Sequence, residues 1–497
     1  MEERIPLSPE EQLRRIGSLA VGLFFSVYLL WVGTSGYGSI TLARYQCFLV
    51  LAAGWVLAGL RFWPKVQKWQ GPKGFLWLLL GLWGFILLSC LASPYQQVVW
   101  LGSKRREGFL TLSAYLALFY MAARFGKMGR RHYQVLALAM LAMDLLMVLQ
   151  FAGLNPLGLY PEGLTFHHRF LAYGGEYLGT IGNSDMLSAV LAVAIPCLVL
   201  CPYGGKTGGL TTAAGAFSFL ALLMSEVQSG LVALLVCFVL LLPVCLWKKQ
   251  HHALLGGAAL LAGVWGVYSL LEYDFTEEIL TFSLNVSPQF LLGIGACAIF
   301  YGLSRGLSGG RKQALAVLGL YGGLVLGSTA FLLLYQGDNA ALLTLQQALH
   351  GNIPDSLGSS RIQIWKEGLN LLGERPILGS GPDTYGLRSE ILFTRTTDSG
   401  QVRRSVVDAA HNEYLHLAVC CGIPAALCYI GLVWGVIGAG LRTITPVILP
   451  LLAAAICWGV QSFFGISQSV STPLCYLMLG LLYNSLYERR EPHGQIG

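Results

Sequence analysis

The chain has 497 residues, of which 55% are hydrophobic and 11% charged, with a mean hydropathy of +0.61. So few charges cannot cover a set of soluble domains, and repeated apolar runs of about twenty residues match the thickness of a bilayer. The net charge of +7 does not point to nucleic acid, because Lys and Arg gather in alternate short loops as the positive-inside rule expects.

In chain order, the polar segment 1–15 (MEERIPLSPEEQLRR) reads as a retained cytoplasmic tail, since the apolar run after it spans without a small-residue cleavage site. Hydropathy predicts spans at 16–34, 45–62, 74–92, 109–123, 134–152, 186–202, 210–225, 229–247, 253–271, 288–304, 314–335, 414–438, 446–464 and 469–487. The expected fold is an all-α polytopic integral membrane protein with about fourteen transmembrane helices. A bundle of about eleven spans covers 16–335, and a large extracytoplasmic loop with short amphipathic helices covers 336–412. About three more spans occupy 413–487, and a cytoplasmic tail occupies 488–497. The loops carrying Lys65, Lys68 and Lys73, then Arg124, Lys127, Arg130 and Arg131, then Lys248 and Lys249, then Arg305, Arg311 and Lys312, and finally Arg489 and Arg490 fall on one side. That side is expected to be cytoplasmic, with both termini on it. The twelve cysteines lie almost entirely in apolar segments (Cys47, Cys197, Cys237, Cys297 and Cys457 among them), as small hydrophobes do, with no disulfide framework and no metal-ligand spacing.

The polar material therefore collects on the outer side. In Trp100–Thr111 (WLGSKRREGFLT) the cations Lys104, Arg105 and Arg106 break the positive-inside pattern, which suits either an anionic ligand such as a diphosphate or lipid headgroups. His167, His168 and Arg169 lie in the next outer segment; adjacent histidines make a poor metal pair and stay unassigned. In LGTIGNSDMLSAVLAVAIP, Asn183 or Ser184 caps a helix whose free N–H groups could also face an anion. MSEVQSG (Met224–Gly230) reads as a hairpin that brings Glu226 and Gln228 near the outer surface, or as a plain turn.

The longest polar interval ends in the stretch 359–422. Ser360 and Gln363 have capping-box spacing, and Ile362, Trp365, Leu369 and Leu372 recur at helical spacing, predicting an amphipathic helix over 361–372. Arg361 and Trp365 share a face of it, a cation beside an aromatic plate suited to a phosphate with an attached sugar. GSGPDTYG (Gly379–Gly386) is a turn that can present backbone N–H groups. His411 stands where the loop returns to the membrane, with Asp408 before it and Asn412 and Glu413 after it. It reads either as a structural interfacial histidine or as a base that a carboxylate one helical turn away orients.

R-x-x-x-W (Arg361, Trp365), R-P-I-L-G-x-G-P-x-x-Y (Arg375 to Tyr385) and H-N-E-Y-L with C-G-I-P (His411 to Pro424) together resemble the O-antigen ligase and O-antigen polymerase superfamily. The segments R-R-E-G-F-L-T and G-T-I-G-N-S-D are similar to further parts of that family in the same order, so the resemblance runs from about Trp100 to the end. It implies glycosyl transfer at the outer face of the bacterial cytoplasmic membrane. The donor would be an undecaprenyl-diphosphate-linked oligosaccharide and the acceptor a sugar hydroxyl, with no metal or nucleotide cofactor. Membrane lipids, a flippase and a chain-length regulator would be partners, and nucleic acid would not. Carried over by position, His411 and Asp408 become catalytic candidates. Arg361, Trp365, Arg105, Arg106, Asn183, Gln228, Tyr385 and Asn412 become candidate substrate contacts. Where the family has an Arg beside a Ser, this chain has Gln228 and Ser229, a departure that leaves a second diphosphate contact to Arg105 or Arg106. A polymerase is favoured over a ligase that moves finished glycan to another acceptor. A lipid-linked oligosaccharide flippase, for which Asp144 inside a span would be the proton-coupling group, is the alternative, and an assembly protein without chemistry is a third reading.

Overall fold

The computed structural model describes residues 7–62, 71–152, 154–160, 179–276, 279–337, 339–355, 358, 360–396 and 402–487. Helix α1 (Pro9–Leu23) starts at a capping box formed by Ser8 and Glu11 and continues through a π-helical turn, Phe24–Tyr28. Then come α2 (Ile40–Phe62), α3 (Lys73–Ala92), the short α4 (Gln96–Val99), α5 (Phe109–Phe125), α6 (Arg130–Phe151), α7 (Ser184–Val199), α8 (Gly205–Met224), α9 (Gln228–Trp247) and α10 (His251–Tyr268). A hairpin of β1 (Leu271–Thr276) and β2 (Ile279–Leu284) leads to α11 (Pro288–Gly306), α12 (Arg311–Leu334), α13 (Ala340–Leu349), α14 (Arg361–Glu374) and the single turn α15 (Tyr385–Arg388). A second hairpin, β3 (Leu392–Thr396) with β4 (Val402–Val406), precedes α16 (Glu413–Cys421), α17 (Ile423–Arg442), α18 (Ile448–Gln461) and α19 (Thr472–Tyr487).

Among the described residues, seven helices are long and apolar enough to cross a membrane, and α5, α7 and α18 are shorter apolar helices. The chain is a multi-pass helical membrane protein. Its centre is α7 and α18, which are apolar and buried on every face, as helices surrounded by other helices must be. At the periphery α12 is the opposite: Ala314 is its one buried residue, and Leu324, Val325, Leu326 and Phe331 stand exposed, as suits a helix bathed in lipid.

Polar groups inside the bundle are few and act as ties between helices. The fully buried Arg44 of α2 donates to the carbonyls of Tyr28, Leu29 and Thr180 at 2.7–3.1 Å, joining the end of the first helix to the turn before α7. Asp144 of α6 accepts from the Ser218 hydroxyl of α8 at 2.6 Å, an interhelical hydrogen bond in an apolar setting.

Two expectations need correction here. The two hairpins add strand that hydropathy did not indicate; Leu271 pairs with Leu284, and Leu392 with Val406. The predicted span 414–438 is two helices, because Gly422 sits at φ 89° between α16 and α17. A Cβ there would lie 1.9 Å from the Ile377 carbonyl oxygen, so only glycine allows the chain to pass at this point.

Candidate functional site

The segments singled out by sequence converge at one end of the bundle. The turn after α14 docks on α16: the N–H of Ser380 donates to the Val419 carbonyl at 3.3 Å and that of Gly381 to the Cys420 carbonyl at 2.7 Å. These amides are therefore consumed in satisfying the last carbonyls of a helix, and the GSGPDTYG turn does not present them to a ligand as expected. Its Asp383 instead accepts from the Ser103 N–H at 2.5 Å and the Ser103 hydroxyl at 3.1 Å, which fastens the 359–422 stretch to the Arg105 segment. Glu367 on α14 accepts from the Glu390 N–H at 2.7 Å and the Ser389 hydroxyl at 2.8 Å and holds the far side of the loop.

Helix α14 forms as predicted but without its capping box. Ser360 is in the left-handed region, φ 65°, and its side chain makes no cap. Arg361 opens the helix and donates through one guanidinium nitrogen to the Gly358 carbonyl at 3.1 Å. Its Nε, and the indole Nε1 of Trp365 one turn on, are both buried and have no acceptor. An unpaired buried donor costs about 1–3 kcal/mol, so two on one face of a short helix suit an anionic or oxygen-rich ligand.

Trp365 meets Phe463 edge to face, ring centroids 5.6 Å apart, and Phe463 is in the wall of an apolar groove of about 750 Å³. Val232 and Val236 of α9, Ala418 of α16 and Leu427 and Trp434 of α17 line it, together with Asn412. The wall is braced where the Trp434 indole donates to the Tyr414 hydroxyl at 3.2 Å, which in turn donates to the Gly459 carbonyl at 2.7 Å.

Next to Asn412 in the chain is His411, itself at φ 46° and outside any helix. Burial, together with the Arg105 and Arg361 cations, pushes its pKa down to about 4, while Asp185 and Asp408 push back. The imidazole is neutral at neutral pH, with a ring nitrogen free to accept a proton. Asp408 does not stand one helical turn from it, as expected, because 408–411 is not helical. Its carboxylate is engaged by the Arg105 Nε at 2.9 Å. Burial raises the Asp408 pKa, but the Arg105 charge and hydrogen bond outweigh it and hold the carboxyl below its ordinary value. Asp408 thus reaches His411 through charge and steadies Arg105 directly.

Under this surface lie two carboxyls that sequence reasoning passed over. Glu107, 4% exposed, accepts from the Tyr115 hydroxyl at 2.7 Å and the Ser467 hydroxyl at 3.3 Å. Glu413 is 7% exposed, faces Ser467 and Tyr429, and its Oε2 has no partner among the described residues. Burial pushes their pKa values up to about 8 and about 7. Each follows a candidate residue by two positions (Arg105, His411), so both segments are anchored at one shared node. The available signal was an acid placed just before an apolar helix.

The remaining candidates divide. Asn412 caps α16 by accepting the Leu415 N–H at 3.0 Å, and Asn183 caps α7 through the Met186 N–H at 3.0 Å. Gln228 is exposed at the first residue of α9, on the helical stripe that continues to Val232 and Val236 along the groove. Arg106 lies with its guanidinium 5.9 Å from the centroid of the Tyr45 ring. Tyr385 is fully buried, and its hydroxyl donates to the Ile364 carbonyl at 3.1 Å, with Glu367 at 3.3 Å, so it supports α14 from beneath. His167, His168 and Arg169 lie outside the described residues.

The fold and site are those of a multi-pass membrane protein with an apolar groove and two buried, unpaired donors near its wall. Residues 213–430, somewhat under half of the chain, match the family described as O-antigen ligase, which supports the O-antigen ligase and polymerase superfamily. That similarity implies a glycosyl-transferring enzyme in general. The matched stretch contains Gln228, Arg361, Trp365, Asp408, His411 and Asn412, and excludes Arg105, Arg106 and Asn183. No curated protein matches the chain.

Proposed function

We propose that this chain is a glycosyltransferase at the outer face of the bacterial cytoplasmic membrane, polymerising surface polysaccharide from an undecaprenyl-diphosphate-linked donor. The observation that carries the reading is an apolar groove with two buried, unpaired donors near its wall, Arg361 Nε and Trp365 Nε1, the Trp365 ring meeting the wall residue Phe463. In this reading the bundle crosses the membrane about fourteen times, both termini are cytoplasmic, and the 336–412 region lies outside.

The prenyl tail occupies the groove and the diphosphate sits against Arg361 and Trp365. The acceptor hydroxyl gives its proton to neutral His411 as its oxygen bonds to the anomeric carbon. The bond from that carbon to the diphosphate oxygen breaks, and the diphosphate leaves with the electron pair, inverting the centre. Fixed positive charge beside the leaving group favours the transition state over the less charged ground state. The same diphosphate offsets the cations that depress His411, so donor binding raises the basicity of the group that must take the proton.

The test compares surface-glycan length and the pool of lipid-linked units in cells carrying His411→Ala or Arg361→Ala. The expected result is loss of long chains with single units accumulating on the carrier, and an in-vitro rate down about 100-fold or more for each variant. Full-length glycan stranded on the carrier would identify a ligase, and unchanged glycan at normal protein level would remove both residues from the chemistry.

A further inference from the structure

A second cavity, of about 190 Å³, lies at the other end of the bundle. Helix α5 connects the two: it begins at Phe109, two residues after Glu107, and ends about 25 Å away at Phe125, on the cavity wall. The lining includes Arg14 and Arg15 from α1, Arg124 from the last turn of α5, and Lys127 just beyond it, with Ser18 and Asn484 between them. Among the described residues no carboxylate lines it; Glu10, one turn before Arg14 and 3.4 Å from it, and Glu11, which interacts with Arg15, are nearby acids outside the lining.

The positive-inside rule accounts for cations at this end of a membrane protein, but only as a solvated fringe. Two features go beyond that. Helix α1 crosses α5 at Gly17, where a Cβ would be 2.1 Å from the Phe125 carbonyl oxygen, so this close approach forces the cations of both helices around one space. Arg124 is 8% exposed, its guanidinium 5.3 Å from the Phe125 ring centroid, which makes it a wall residue and not a fringe one. The walls are also fixed: Asn484 donates to the Ala123 carbonyl at 3.0 Å, and the Ser18 hydroxyl lies 3.0 Å from His132 Nε2.

We propose that this cavity is a binding site for a phosphate group, held by Arg14, Arg15, Arg124 and Lys127, on the membrane face opposite the groove. Four cations in so small a volume suit a phosphoryl group, and guanidinium forks suit its oxygens. The source is either the headgroup of an anionic phospholipid or a free phosphate compound. The site is separate from the glycosyl-transfer reading and stands whether or not that reading holds.

The full chain, purified and placed in phosphatidylcholine nanodiscs, would be titrated with phosphatidylglycerol, and in neutral detergent with inorganic phosphate, following thermal stability and retained ligand by native mass spectrometry. Phosphatidylglycerol is expected to bind and stabilise. Arg15→Gln with Lys127→Gln, both at exposed positions and safe for folding, is expected to weaken it by about fivefold for each charge removed. Arg124→Gln should do the same where it folds. Lys248→Gln with Lys249→Gln, exposed just beyond the end of α9, should leave it unchanged. Saturable stabilisation by inorganic phosphate alone, lost in the same variants, would identify the free compound as the source. Binding of neither probe, or equal weakening in the Lys248 and Lys249 control, would overturn the proposal.

Discussion

At the scale of single residues, His411 is, in the proposed mechanism, a base prepared before its substrate arrives. Its pKa, near 4 against an ordinary 6.5, is set first by burial and then by Arg105 and Arg361. The folded chain therefore keeps the ring neutral where an unfolded chain protonates it, so its contribution to stability is intact above about pH 6.5 and is lost as pH falls towards 4. Replacing Arg361 with Gln removes one depressing charge, so the acid limb of the pH–rate profile should move up; Asp185→Asn removes a supporting charge and should move it down. A limb that stays in place in both variants would mean that another group titrates. Arg361, Trp365 and His411 were legible in the sequence as candidates because each is a chemically distinctive residue in a short motif. The sequence could not show that Tyr385 is spent on Ile364 and Glu367, or that Asp408 faces Arg105, since those partners lie between 18 and 303 residues away along the chain.

At the scale of elements, apolar runs of helical length located the helices of the bundle well, because a helix in lipid must satisfy its backbone internally and so shows itself as a continuous apolar stretch. Periodicity is blind to breaks dictated from elsewhere. The junction of α16 and α17 looks like continuous helix apart from C-G-I-P, and the break is imposed by the Ile377 carbonyl pressed against Gly422. The Gly-Pro turn looked like a phosphate cradle for the same reason, its amides being committed to α16, some forty residues on in sequence. Gly422→Ala combines a left-handed backbone with a backbone clash, and should destabilise the fold by about 2 kcal/mol or more. Since Asn412 and Glu413 open α16, the loss should appear both as lower thermal stability and as lower activity per folded molecule. Wild-type stability in Gly422→Ala would mean that α16 and α17 are held in place by other contacts.

At the scale of the whole molecule, the groove and the donors near its wall make one amphiphilic site in the proposed reading. Leu427, 61% exposed, and Phe463, 46% exposed, put apolar surface on the groove's open side, which a tail can enter sideways from lipid. Moving a prenyl chain from bilayer to groove exchanges one apolar surrounding for another and yields little free energy from water exclusion. In the proposed reading the groove supplies position: a tail lying along Val232 and Val236 would fix the depth of the diphosphate at Arg361 and Trp365, and misplacement by about 1 Å can cost a hundredfold in rate. Val232 is itself 39% exposed, so Val232→Trp obstructs the groove without overpacking the core. For a long-tailed donor kcat/KM should fall about tenfold or more. A donor with the same glycan diphosphate on a tail too short to reach Val232 should be turned over equally by wild type and variant. Equal losses for both donors would show that the substitution disturbs the polar site itself, and that the tail lies along some other surface of the bundle.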